Sequence, residues 1–217
     1  LFRADRVMTF LGWGAAREAI AAPAQQLIKI PERLDFDRAA GLCITYGTSL
    51  YALRERAQLK AGETLAVLGA SGGAGLAAVE LGKLMGARVI ACASSDEKLA
   101  FARAHGADET INYATENLRD ALKQHGGEHG IDVVYDPVGG PYAEPAVRSL
   151  AWQGRYLVVG FTAGEIPKIP LNLVLLKSCD IRGVFWGSWS KREPQAQHAL
   201  LGDVARCAAD GKLSAHI

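Results

Sequence analysis

The sequence predicts a doubly wound α/β fold, and three observations carry that prediction. Between residues 63 and 210, strand-like apolar runs alternate with helix-like runs. The strand-like runs, such as Leu65-Ala66-Val67-Leu68 and Val89-Ile90-Ala91-Cys92, are too continuously apolar to leave one face in water, which fits a parallel sheet covered by helices on both sides. A Gly-rich stretch, Gly69-Ala70-Ser71-Gly72-Gly73-Ala74-Gly75, joins the first strand of the series to the first helix.

Residues 6–10 and 26–30 read as short strands, with Gly12, Gly14 and Pro23 breaking the run between them, so residues 1–36 look like part of a β-rich neighbour. A polar, Pro-bearing connector covers 31–37. Asp37 is then placed to cap a helix that starts near Arg38 and runs, with a break near Gly47, to Lys60. The α/β domain is accordingly 37–217. Its series is strand 64–68, helix 73–85, strand 88–91, helix 95–105, strand 109–112 and helix 116–124. Strand 133–135, helix 142–150, strands 155–159 and 180–184, and a final helix 194–210 complete it.

The chain has 217 residues, 49% of them hydrophobic, enough for one full α/β core and part of a second domain. A net charge of +1 without a basic block gives no electrostatic basis for nucleic acid or a membrane surface. Cys43, Cys92, Cys179 and Cys207 are far apart, and no histidine falls beside them, so free thiols in a reducing compartment and no metal are expected. The most apolar window, 65–81, is rich in Gly and Ala and interrupted by Glu80, so neither secretion nor a membrane span is expected and the location reads as cytoplasmic. With Leu at position 1 and a helix-like segment just before its end, the chain reads as part of a longer polypeptide.

Glycines in a strand-to-helix turn let bare backbone N–H groups approach phosphate oxygens at the positive end of a helix. Ser71, Gly72, Gly73 and Ala74 are therefore candidates for a dinucleotide pyrophosphate, nicotinamide or flavin. Their spacing is not the strict G-x-G-x-x-G, and an ordinary Gly-rich turn also accounts for it; the second strand at βαβ distance favours the nucleotide. A carboxylate at the end of that second strand would bond a ribose 2′-OH and repel a 2′-phosphate. Ser94, Ser95 and Lys98 stand there instead, two hydroxyls and an ammonium at a helix start, which favours NADPH over NADH. The competing readings are a capping box, Ser94-x-x-Glu97, and a solvated helix lysine. Asp136, Val138, Gly160 and Phe161 follow two later strands at the carboxyl edge where ligands bind, or else are plain turn residues. Tyr113 either covers an adenosine phosphate or simply ends the third strand.

Five motifs in order, Thr45-Tyr46-Gly47-Thr48, the Gly-rich turn, Ile111-Asn112-Tyr113, Tyr135-Asp136-Pro137-Val138-Gly139 and Gly183-Val184-Phe185-Trp186-Gly187, resemble the zinc-independent quinone oxidoreductases of the medium-chain dehydrogenase/reductase superfamily. Ala4-Asp5-Arg6-Val7 is similar to a strand of that family's catalytic domain. The resemblance implies a Rossmann domain at 37–217 and, at 1–36, a remnant of a GroES-like catalytic domain. It also implies that Ser94, Lys98 and Tyr113 contact the 2′-phosphoadenosine end of NADPH and that Gly72, Gly73 and Ala74 approach the pyrophosphate. Thr48, Phe161 and Phe185 would lie toward the nicotinamide half, and Trp186 would be a further cofactor-binding residue. The implied reaction is hydride transfer from C4 of NADPH to a quinone or an α,β-unsaturated carbonyl, with the protein orienting donor and acceptor. Tyr46 is either a proton relay near the nicotinamide or a packed tyrosine, and no zinc is implied. In the family the last strand, here Asp180 to Phe185, pairs with its two-fold mate, which implies a homodimer.

An enoyl-thioester reductase of the same superfamily, or a non-catalytic NADPH-binding relative, would share these residues. A short-chain reductase is set aside because the sequence has no Tyr-x-x-x-Lys pair.

Overall fold

The computed structural model describes residues 4–216. In chain order its elements are β1 (Val7–Met8), β2 (Ile28–Lys29), α1 (Phe36–Leu50), β3 (Thr64–Leu68), α2 (Gly73–Leu84), β4 (Arg88–Ala93), α3 (Asp96–Ala104) and β5 (Glu109–Asn112). They continue with α4 (Leu118–Gly126), β6 (Ile131–Asp136), α5 (Ala143–Arg148), β7 (Leu150–Val158), α6 (Leu171–Lys177), β8 (Asp180–Gly183), α7 (Trp186–Arg192) and α8 (Pro194–Ala209). The chain divides into two compact units, Ser49–Val184 on one hand and the residues up to Thr48 with those from Phe185 onward on the other.

In the unit Ser49–Val184, β3 to β8 form a six-stranded sheet, parallel throughout, in the order β5-β4-β3-β6-β7-β8. The chain starts at the centre, builds outward to β5, then returns to build the other half from β6, as in a Rossmann fold. Both faces are covered. On one, Leu65 and Val89 meet α2 at Gly82, where a Cβ would lie 2.6 Å from Leu65 and 3.1 Å from Val89. On the other, Ala66, Leu68, Ile90, Cys92 and Ile111 share a core with Leu118 and Leu122 of α4, Val147 of α5 and Leu173 of α6.

β7 begins earlier than the pattern indicates. Leu150 pairs with Ile131 and Arg155 with Val133, so the residues between are accommodated as a bulge in which Gln153 takes a φ of 60°. Arg155, just past the bulge, donates to both carboxylate oxygens of Glu63 (3.0 and 2.7 Å) and to the Ala57 carbonyl (3.1 Å), tying β7 to the approach to β3.

In the other unit β1 and β2 pair antiparallel and are shorter than the sequence suggests. Arg6 donates to the carbonyls of Glu32 and Leu34, both at 2.7 Å. Arg38 donates to those of Leu213 (2.8 Å) and Ser214 (3.0 Å), just past α8. Asp37 lies within the first turn of α1 rather than ahead of it. The expected break near Gly47 is absent: α1 runs through it, and the chain continues past Leu50 into a π-helical segment, Tyr51–Ala57. Gly47 supplies room instead, since a Cβ would lie 3.0 Å from Leu201 and 3.1 Å from Trp186. No helix among the described residues is long and apolar enough to cross a membrane.

Asp108, just ahead of β5, joins three elements. Its carboxylate accepts from Lys83 Nζ at the end of α2 (2.7 and 2.9 Å) and from the Val89 N–H of β4 (2.7 Å). Burial pushes its carboxyl up, but the hydrogen bonds and charge of Lys83 and the Val89 N–H outweigh this and hold it below the ordinary aspartate range. A carboxyl lowered on folding contributes stability above its ordinary pKa and loses it as pH falls through the folded value. Asp108→Asn is therefore expected to melt below the wild type at pH 7, with the gap closing as pH falls below about 4. Thermal melts followed by circular dichroism test this, and a gap independent of pH contradicts it.

Candidate functional site

Two glycines shape the turn from β3 into α2. Gly69 has a φ of +61°, and the Gly72 N–H donates back to its carbonyl at 3.0 Å. Gly75, in the first turn of α2, passes so close that a Cβ would lie 2.1 Å from the Gly69 oxygen, so no side chain fits. Gly72 differs, because a Cβ there would meet nothing nearer than 3.5 Å. It precedes α2 and no side chain caps the helix. The first N–H groups of an α-helix have no carbonyl partner within it, and Gly73, Ala74 and Gly75 present theirs at the positive end of the dipole. Ser71, Gly72, Gly73 and Ala74 thus lie together in one open turn.

The Ala74 carbonyl accepts from Ser49 Oγ (3.0 Å), which also shares a buried hydrogen bond with the Tyr135 phenol (2.8 Å). Burial pushes that phenol up. Sequence reasoning assigned no role to Ser49 or to the Tyr135 side chain, for a serine in a helical run and a tyrosine inside an apolar strand give no local signal.

At the end of β4, Ser95 caps α3 and accepts from the Lys98 N–H at 3.4 Å. The cap thus falls one residue later than the Ser94-x-x-Glu97 spacing suggests. Ser94 is left to accept from Lys98 Nζ at 3.0 Å, with the phenol of Tyr113 near its hydroxyl. Burial and the neighbouring Tyr142 phenol push Tyr113 up, against the pull of the Ser94 hydroxyl. The Tyr142 ring lies 4.4 Å from that of Tyr113, tilted by 41°. The fold therefore brings Ser94, Lys98 and Tyr113 together and adds Tyr142, which sequence reasoning missed. Asp96, the nearest carboxylate in the chain, accepts from Asn112 Nδ2 at 2.8 Å.

Asp136 is buried at the end of β6. One carboxylate oxygen accepts the N–H groups of Val138 (2.7 Å) and Gly139 (2.8 Å), and the other accepts the Tyr156 phenol. Its own carbonyl accepts from Val159 (2.9 Å) and Gly160 (3.3 Å). The side chain of Asp136 is thus engaged within its loop. The Thr162 and Ala163 N–H groups donate to the Pro137 and Val138 carbonyls, joining the two loops that carry Val138 and Phe161. Phe161 is part-exposed and lies against Gly139, where a Cβ would come within 2.9 Å of its ring.

Tyr46, Thr48, Phe185 and Trp186 belong to the other unit. Tyr46 is buried in α1, and Thr48 near its end is half-buried. Phe185 is 75% exposed ahead of α7, whereas Trp186 is buried against Phe10 at a ring distance of 4.9 Å. Among the described residues no group of three or more His, Cys, Asp or Glu is placed to hold a metal ion.

Residues 73–201 match the family described as zinc-binding dehydrogenase. The chain is 39% identical over 215 residues to a quinone oxidoreductase-like protein 2 homolog of Nematostella vectensis, covering 98% of this chain and 59% of that protein. It is 35% identical over 201 residues to the quinone oxidoreductase of Homo sapiens, covering 92% and 60%. The quinone oxidoreductase of Thermus thermophilus, solved also in complex with NADPH, superposes with a TM-score of 0.78 at 32% identity, covering 94% of this chain and 63% of that one. The chain spans about three-fifths of the length of the relatives it matches. With the β3–α2 turn, the sheet order and these matches in agreement, the chain belongs to the medium-chain dehydrogenase/reductase superfamily, in its quinone oxidoreductase branch.

Proposed function

We propose that this chain carries the NADPH-binding part of a reductase acting on quinones or α,β-unsaturated carbonyls. The observation that carries the reading is the uncapped start of α2, with the Ser94–Lys98 pair one strand away. The residues fit the nucleotide. The open face at Gly72 admits a phosphate, the N–H groups of Gly73 and Ala74 supply donors, and Ser94, Ser95, Lys98 and Tyr113 supply hydroxyls and an ammonium for a 2′-phosphate. When bound, NADPH supplies the hydride. The chain's own part is to hold and orient the nucleotide: the backbone at Ser71 to Ala74 for the pyrophosphate, the loops at Asp136, Val138 and Gly160 along the carboxyl edge, and Thr48, Phe161 and Phe185 toward the nicotinamide, with Trp186 also among the cofactor-binding residues. No catalytic side chain is assigned: Tyr46, buried in α1, is read as a packed tyrosine ahead of a proton relay. Residues 1–36 are assigned to a GroES-like catalytic domain and 37–217 to the Rossmann domain. The four free cysteines fit a cytoplasmic setting.

A homodimer through the outer edge of β8 belongs to the same reading. β8 is outermost in the sheet, with Ile181 exposed on it, and α6 just before it leaves Leu171, Leu175 and Leu176 exposed.

Two measurements test these assignments in the intact protein. Lys98→Ala is expected to weaken NADPH by roughly 1 to 3 kcal/mol, about 5- to 150-fold, and to leave NADH nearly unchanged in a fluorescence titration. Equal loss for both nucleotides contradicts the 2′-phosphate assignment. Light scattering should give the mass of two chains, reduced to one by Ile181→Lys, and a monomeric wild type sinks the dimer.

A further inference from the structure

Tyr113 stands one residue past β5, and Tyr142 ends the short helical turn Gly140–Tyr142 that follows β6. The sheet order puts β4 and β3 between those two strands, a separation of three strand spacings, about 14 Å. Yet the two rings are 4.4 Å apart. The contact therefore reaches across the carboxyl ends of the strands that carry Ser94 and the Gly-rich turn. Its two sides are differently anchored. The Tyr142 turn is fixed by the Gly140 N–H donating to the Glu165 carbonyl at 3.1 Å, and by positive φ angles at Gly139 (68°) and Gly140 (59°). On its other side the Tyr113 phenol lies near Ser94, which accepts from Lys98 at 3.0 Å. Tyr142, Tyr113, Ser94 and Lys98 thus form a row, with a ring contact at one end and a hydrogen bond at the other.

We propose that Tyr142 is a positioning residue for the adenosine end of the nucleotide, acting through Tyr113. This rests on the NADPH reading above. The Tyr142 ring keeps Tyr113 beside the Ser94–Lys98 pair at the helix start where the 2′-phosphate would bind. The contact is made by the ring face, so a phenyl ring serves equally well.

The test compares Tyr142→Ala, Tyr142→Phe and Lys98→Ala in the intact protein, titrated with NADPH and with NADH by nicotinamide emission. The quantity read is the ratio of the two dissociation constants. A variant that merely folds less well binds both nucleotides less and leaves that ratio unchanged. Tyr142→Ala is expected to reduce the preference for NADPH about 5-fold or more, and Tyr142→Phe to keep it within about 2-fold. An unchanged ratio in Tyr142→Ala, or a loss in Tyr142→Phe equal to that in Tyr142→Ala, overturns the proposal. If Lys98→Ala lowers the ratio while Tyr142→Ala does not, the role of Tyr142 alone fails. If Lys98→Ala also leaves it unchanged, or the wild type shows no preference, the NADPH reading fails with it.

Discussion

The close approach of Gly75 to the Gly69 carbonyl sets the position of everything else at the carboxyl edge of the sheet. A methyl group there would lie 2.1 Å from that oxygen, so α2 starts as near to β3 as backbone atoms allow. Further along the helix Gly82 repeats the condition against Leu65 and Val89. Two close contacts fix a line, and α2 is thereby held along the sheet with its positive end at the β3 turn. Ser49 and Tyr135 reinforce this from the protein interior by holding the carbonyl of Ala74 in the first helical turn.

A second constraint acts on the other half of the edge. Asp136 satisfies its buried carboxylate with two backbone N–H groups of its own loop and with the phenol of Tyr156 on the neighbouring strand. A buried carboxylate left without donors is costly, by about 1–3 kcal/mol or more, and these three donors remove that cost. The backbone bonds from Thr162 and Ala163 then join the loops after β6 and β7. The result is a pair of loops joined to each other, with Val138 packed against Gly69 of the Gly-rich turn.

How much of this the sequence displays depends on the range over which each cause acts. The central strands are legible because burial on two faces leaves a continuous apolar run, and the Gly-rich turn because its glycines are adjacent. Gly47 misleads for the opposite reason: a glycine in a helical run suggests a break, but the atoms that require it belong to Trp186 and Leu201, far along the chain. α6 and α7 are too short to express a helical period. Ser94 and Ser95 are both able to cap, and only the structure separates the cap from the hydroxyl left facing Lys98. Tyr142 carries no local mark at all, since its significance lies in a ring supplied from the far side of two intervening strands.

Three phenols along this edge, Tyr135 and Tyr156 buried and Tyr113 half-buried, have a further consequence. Burial raises Tyr113, Tyr135 and Tyr156, and for Tyr156 the charge of Asp136 adds to it. All three stay protonated through the neutral range, while the Asp136 carboxylate is covered by donors on both oxygens. These three phenols therefore act at the rim as hydrogen-bonding groups and add no negative charge to it in the neutral range.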